Sequence, residues 1–349
     1  MVWKTIPSHK LNKNGFMKNL LVIILGFIIF SCTRNSSTEK YQTDRNNVEN
    51  VHDCIKEFET DSILIGNNAR IYIMDNYLLI ADHRGYDKQI HVFDKNSFRY
   101  LASTAPLGQG PTEITVLGAI AVDEKRGKFY VSDHGKNKIF SYDMDSVLAD
   151  PDYTPSVKLV MDKTNFPSEY EYINDTLCIA RTILPKGVND YMPSVSRWNM
   201  QTGNMLSISY NHPDIKKKRT TCASSQQYGL IAELYNNYDL LTISDFNGKL
   251  KCNVYGPAWG STQRNHYYSD GFFDNNNHLI VSFSGGDNNT DAYYPTCLLV
   301  FGLDGEYIKT LDVGYKISSM RYDNKTNRLY MNLNDEIQFA YLDLDGLIK

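Results

Sequence analysis

One short apolar strand recurs six times along the chain. The copies are Leu78-Leu79-Ile80-Ala81, Phe129-Tyr130-Val131-Ser132, Leu177-Cys178-Ile179-Ala180, Gly229-Leu230-Ile231-Ala232, Leu279-Ile280-Val281-Ser282 and Leu329-Tyr330-Met331-Asn332. Each ends in a small residue and runs into a polar stretch, and successive copies lie about 50 residues apart. A second apolar strand follows each copy: Ile90 to Phe93, Ile139 to Tyr142, Val195 to Trp198, Leu240 to Ile243, Cys297 to Phe301 and Gln338 to Leu342. Polar corners close them, among them Thr202-Gly203, Asn247-Gly248, Asp304-Gly305 and Asp345-Gly346. Such corners tolerate positive φ. Many strand positions are apolar consecutively rather than alternately, which suits sheets covered on both faces.

A strand-rich unit repeated at this period predicts a radial array. The expected fold is all-β, a six-bladed β-propeller. The sixth period stops close to Lys349, and an unassigned strand-like segment, Cys54 to Ile65, precedes the first. The economical solution is that this N-terminal strand completes the last blade and protects its edge. No stretch beyond the leader shows a capped 3.6-residue period, so helices are not expected.

The first 50 residues read differently. Met17-Lys18 precedes an apolar run from Leu20 to Phe30 and then Ser31-Cys32. A basic start, a short apolar core and a small residue before the cleavage point make a secretory leader. The run is shorter than the roughly 20 apolar residues a membrane-spanning helix needs. Ile29-Phe30-Ser31-Cys32 resembles a bacterial lipobox, which makes Cys32 the expected lipidation site and Met17 the expected start. Residues 33–50 are polar and lack periodicity, so they are expected to form a flexible tether. The division is then 1–32 leader and lipobox, 33–50 tether and 51–349 propeller. Glu39 is the one early acidic residue after Cys32. That is a poor match to acidic export signals, so a periplasm-facing outer-membrane lipoprotein is expected rather than a surface-exposed one.

The formal net charge of −4 gives no case for nucleic acid. The basic run Lys216-Lys217-Lys218-Arg219 reads as a solvated loop between blades. Beyond Cys32 stand Cys54, Cys178, Cys222, Cys252 and Cys297, an odd number without C-x-x-C spacing. They indicate neither a zinc site nor a redox motif, and their pairing is left open. Gly-x-Ser-x-Gly, His-Glu-x-x-His and P-loop patterns are missing. No cofactor is implied.

The run Leu78 to Asp82, followed by Ile90 to Asp94, resembles the blades of NHL-type and TolB-like six-bladed propellers. Gly108-Gln109-Gly110-Pro111-Thr112-Glu113-Ile114 is similar to a Gly-x-Gly-Pro-x-Glu signature of six-bladed propeller lipoproteins of Bacteroides-type bacteria. Blades three to five depart from the pattern, with Arg181, Glu233 and Phe283 where Asp82 stands in blade one. The resemblance implies fold and envelope location and supplies no catalytic residue.

Candidate site residues come from the loops after the repeated strand, which gather at one mouth of a propeller's channel. Two adjacent blades place Asp82-His83 and Asp133-His134 there. Such pairs can ligate a ligand or move protons, although an Asp at a strand end also serves to accept backbone N–H groups. Arg181, Glu233 and Asp287 follow in blades three to five. Glu113 is a further candidate, with an architectural role beside a catalytic one. A polar mouth with tyrosines suits a protein, peptide or glycan ligand, which makes the first reading a non-enzymatic binding or scaffolding module. The alternative is a metal-dependent hydrolase of the lactonase type, which needs carboxylate and amide ligands such as Asp82, Asp133, Glu233 and Asn334 to converge on the channel axis.

Overall fold

The computed structural model describes residue 1 and residues 36–61, 63–187, 190–261 and 264–348. Cys32 and the leader lie outside the described residues. Two units separate at Ser36/Ser37, and the blades all belong to the second, Ser37–Lys349.

Six antiparallel sheets, blades I to VI, follow one another along the chain. In each, the repeated apolar strand is the second from the inside. Blade I is built from Arg70–Met74, Tyr77–Ala81, Lys88–Asp94 and Tyr100–Pro106. The inner strands of blades II to VI are Leu117–Asp123, Phe166–Asn174, Thr220–Ser225, Tyr268–Phe273 and Ile317–Asp323. The second strands are buried almost throughout, as at Tyr77–Ala81 and Leu230–Tyr235. Each is sandwiched between neighbouring blades, which explains the consecutive apolar residues. The expected glycine corners have positive φ: Gly203 at 81°, Gly248 at 79°, Gly305 at 84° and Gly346 at 80°.

The N-terminal segment closes the ring. Lys56–Glu57 pairs antiparallel with the third strand of blade VI, through Ala340↔Glu57 and Tyr341↔Lys56. The paired stretch is shorter than the expected Cys54 to Ile65. Phe58 adds a wedge: its N–H donates to Phe339 O at 3.0 Å, and its ring stacks on Phe98 and Phe339.

Residues 37–50 do not behave as the expected tether. Glu39–Tyr41 adds a fifth, parallel strand to blade IV, and Val48–Asn50 does the same on blade V. The polar sequence concealed this because an edge-added strand binds through its backbone and needs no apolar face. Its side chains then find polar partners. Glu39 accepts from Tyr255 Oη at 2.5 Å, and Tyr41 stacks on Tyr255.

One helix, Met144–Ala149, also departs from expectation. Asp143 caps it by accepting from Ser146 N–H at 3.0 Å. The five cysteines from Cys54 onward are free thiols.

Candidate ligand-binding site

Antiparallel pairing sends the second-to-third-strand loop and the connection to the next blade out of the same face. The acid that ends a second strand therefore meets the preceding blade's connection. Asp82 accepts from Gly66 N–H at 3.0 Å and Arg84 N–H at 2.9 Å. Asp133 accepts from four backbone N–H groups, those of Thr115, Val116, Gly135 and Lys136. Glu233 accepts from Tyr210 N–H and Ser209 Oγ, and it pairs with the Lys218 ammonium. In blade VI the same task falls to Asp335, which accepts from Lys316 N–H at 3.1 Å. These carboxylates staple blade to blade, and Asp82, Asp133 and Glu233 are all buried. Lys218 thus leaves the basic run expected to be wholly solvated, because a buried Glu233 without a counter-charge would be costly.

The signature loop is a second staple. Glu113 folds back to accept from Gly110 N–H at 2.6 Å. The Lys136 ammonium donates to the carbonyls of Gly110 (2.6 Å) and Glu113 (2.5 Å). A Cβ at Gly108 would sit 1.9 Å from Glu113 Oε2, so any larger residue there displaces the Glu113 carboxylate from the Gly110 N–H. Asp287 is likewise held locally, by the Arg264 guanidinium at 2.7 Å and the Asn289 N–H.

The channel mouth is set by residues that the repeat did not reveal. Four of the six inner strands bulge at one level: between Leu117 and Ile120, Pro167 and Glu169, Tyr268 and Gly271, and Ile317 and Ser319. Bulges re-aim side chains near the rims of closed sheets. At this level Arg70 Nη1 donates to Glu169 Oε1 at 2.8 Å, and Arg181 approaches the same oxygen at 3.4 Å. Burial works to raise the pKa of Glu169, but Arg70 and Arg181 outweigh it and hold the carboxyl below its ordinary value. Asp270 has the opposite fate. Burial, helped by the nearby Glu169 charge, pushes it up to about 6, against the pull of Gly271 N–H, Arg321 and Arg70.

Above this layer stand the two sequence-predicted histidines. His83 Nδ1 and His134 Nε2 are buried and make no hydrogen bond, and the same holds for Arg181 Nε. Burial lowers the pKa of His83, and Arg70 lowers it further, against the carbonyls of Asn68 and Ala81 and the Asp82 charge. Burial lowers His134 too, with the same Arg70 contribution, against the Pro167 carbonyl and Asp133. Both imidazoles are therefore biased toward the neutral form. His134 lies against the Phe166 ring and over Gly118, where a Cβ would approach Nε2 to 2.6 Å. A cavity of about 350 Å³ opens beside His83, lined by Asn68, Ala69, Arg70, Ser318 and Ser319. Its size is at the lower end of ligand pockets.

The structure thus gathers His83, His134 and Arg181 around Arg70. The carboxylates of Asp82, Asp133, Glu233, Asp287 and Glu113 are instead turned to the backbone or to local cations. Arg70, Glu169, Asp270, Ser318 and Ser319 were missed because the inner strands carry little repeat. The signal that could have found them is a charged residue within a strand-like run, as in Ser168-Glu169-Tyr170 and Ser269-Asp270-Gly271. Among the described residues, no group of three or more His, Cys, Asp or Glu side chains is placed to hold a metal ion.

Residues 53–174 match DUF5128, described as a 6-bladed beta-propeller. The chain is a six-bladed β-propeller. A search of curated proteins found no match to the sequence. Among solved structures it is similar to a member of the DUF4221 family from Bacteroides vulgatus, with TM-score 0.54 and 14% identity, over 82% of this chain and 94% of that one. It is also similar to a calcium-binding protein, regucalcin, from Agrobacterium tumefaciens, with TM-score 0.52 and 11% identity, over 88% and 95%. A luciferin-regenerating enzyme gives TM-score 0.53 and 12% identity, over 82% and 94%. At these identities the likeness concerns the fold alone.

Proposed function

We propose that this propeller is a binding module whose ligand, a glycan or a peptide segment, docks at the channel mouth beside Arg70. The observation that carries the reading is the cavity beside Arg70, lined by His83, whose buried Nδ1 makes no hydrogen bond. Buried polar groups are normally satisfied, and a ligand is one way to satisfy them. Exposed aromatic side chains on the same face supply further contact. Tyr86 is 98% exposed, and Tyr191 and Met192 sit on the long second hairpin of blade III.

The hydrolase reading gains nothing from this geometry. It calls for Asp82, Asp133 and Glu233 to converge, whereas each carboxylate serves its own blade junction. We further propose that Cys32 carries the lipid that anchors the protein to the outer membrane, facing the periplasm. That rests on the lipobox-like Ile29-Phe30-Ser31-Cys32 and the polar residues after it.

The function is tested by glycan and peptide arrays probed with the purified protein and with Ser318→Tyr, which fills the cavity. Binding lost in the variant supports the mouth as the site, while unchanged binding refutes it. The anchor is tested by labelling with a radioactive fatty acid, which Cys32→Ser should abolish. Equal labelling of the variant would refute lipidation there.

A further inference from the structure

We infer that the cavity beside Arg70 takes a carboxylate presented by an acidic sugar, such as a uronate unit of a glycan. The inference rests on the proposal that the channel mouth is the binding face, and it adds the chemistry of the ligand.

Charge comes first. Arg70 and Arg181 lean on a single carboxylate, Glu169. A guanidinium has five N–H donors, and one of Arg70's is used on Glu169. Its side chain is still 45% exposed and lines the cavity, so donors remain for a second anion. Burial and Glu169 push the nearby Asp270 up to about 6, so its charge opposes this positive field at pH 7 and fades as the pH falls below 6, which adds to the preference for an anion in acid. A planar guanidinium beside open space is suited to bidentate carboxylate recognition.

The rest of the lining selects among carboxylates. Asn68, His83, Ser318 and Ser319 supply amide, imidazole and hydroxyl groups, and Ala69 is the one apolar side chain. Ser319 Oγ already donates to the Ala69 carbonyl, so its oxygen is oriented to accept. An apolar pocket and an open strand edge, two common anchors of a peptide segment, are both missing from the lining of this cavity. Its volume of about 350 Å³ suits a compact polar unit with hydroxyls on several sides.

A bound anion would also reverse the effect of Arg70 on His83. The groups around His83 are Arg70, Asp82 and the Asn68 and Ala81 carbonyls; around His134 they are Asp133, Arg70, the Pro167 carbonyl and the Phe166 ring. Adding a negative charge there favours the imidazolium, so binding should take up protons and strengthen as the pH falls.

The experiment is calorimetric titration of the purified protein with three probes: oligosaccharides of glucuronate or galacturonate, their neutral glucose and galactose counterparts, and a blocked Asp-Glu dipeptide. The uronates should bind about tenfold or more tightly than the neutral sugars, in keeping with one charge-assisted hydrogen-bond pair. Affinity should rise between about pH 7.5 and about pH 5.5. Arg70→Gln should remove the preference for uronate, and Ser318→Tyr should abolish binding. If Arg70→Gln does not fold, His83→Gln in an Asp270→Asn background takes its place, with loss of the pH dependence as the readout, since Asp270 titrates in the same window. Equal binding of neutral sugars, lost in Ser318→Tyr, overturns the carboxylate inference and leaves the mouth as the site. Preferential binding of the dipeptide overturns the sugar assignment. Failure of every uronate overturns the inference, and glycan or peptide binding that Ser318→Tyr leaves intact overturns the mouth reading as well.

Discussion

Arg45 reaches across 194 residues to place its guanidinium 2.8 Å from the Asp239 carboxylate. Tyr268 Oη donates to the same Asp239 oxygen at 2.7 Å, and the guanidinium lies 4.7 Å from the centre of the Phe283 ring. The Arg45 and Asp239 side chains are 9% and 1% exposed. The polar segment before the propeller is therefore pinned by a buried charge between blades IV and V. Removing one partner of such a pair leaves the other uncompensated. Arg45→Met should cost about 3 kcal/mol, read as a lower urea midpoint with an unchanged slope. A change within the error of the measurement would mean the strap does not hold the ring.

Ring closure makes its own demand. Phe58 is buried against Phe98 and Phe339 beside the two-residue strand that seals blade VI. Phe58→Ala should cost about 3–4 kcal/mol through the cavity it leaves. Deleting residues 51–66 should broaden or abolish the cooperative melt of all six blades. A sharp, unshifted melt would refute closure by this segment.

The signature loop predicts a coupling. Gly108→Ala puts a Cβ against the Glu113 carboxylate and should destabilise by roughly 2 kcal/mol. Most of that cost should vanish in a Glu113→Ala background, because the colliding group is gone. Additive effects in the double-mutant cycle would show that the two residues do not meet.

Asp270 predicts a pH dependence of stability. Its folded pKa, about 6, lies above that of the unfolded chain, so the folded state binds the extra proton. The stabilisation from that proton is complete below about pH 4 and is lost as the pH rises through about 6. Asp270→Asn should therefore raise the melting temperature at pH 8, by an amount worth roughly 2–3 kcal/mol, and the gain should shrink toward pH 4. A gain independent of pH would assign the effect to packing instead.

Blade number, the identity of the second and third strands, and closure by an N-terminal strand were all legible in the sequence. Each is a local pattern. A strand squeezed between two blades must be apolar on both faces, and a hairpin corner needs residues that accept positive φ. Asp82 and Asp133 were also legible as strand-end acids, and the backbone N–H groups of the adjoining connections account for them. The strap was not, because residues 39–50 bind through main-chain hydrogen bonds that leave no apolar signature. Nor was the mouth. Arg70 and Glu169 are 99 positions apart and meet only once the ring has closed. The sequence by itself determined how many blades there are and how each is layered, since burial on both faces selects residue type one strand at a time. Which side chains share the channel was decided by the tertiary structure, because inner-strand bulges and ring closure bring together residues that no local rule couples.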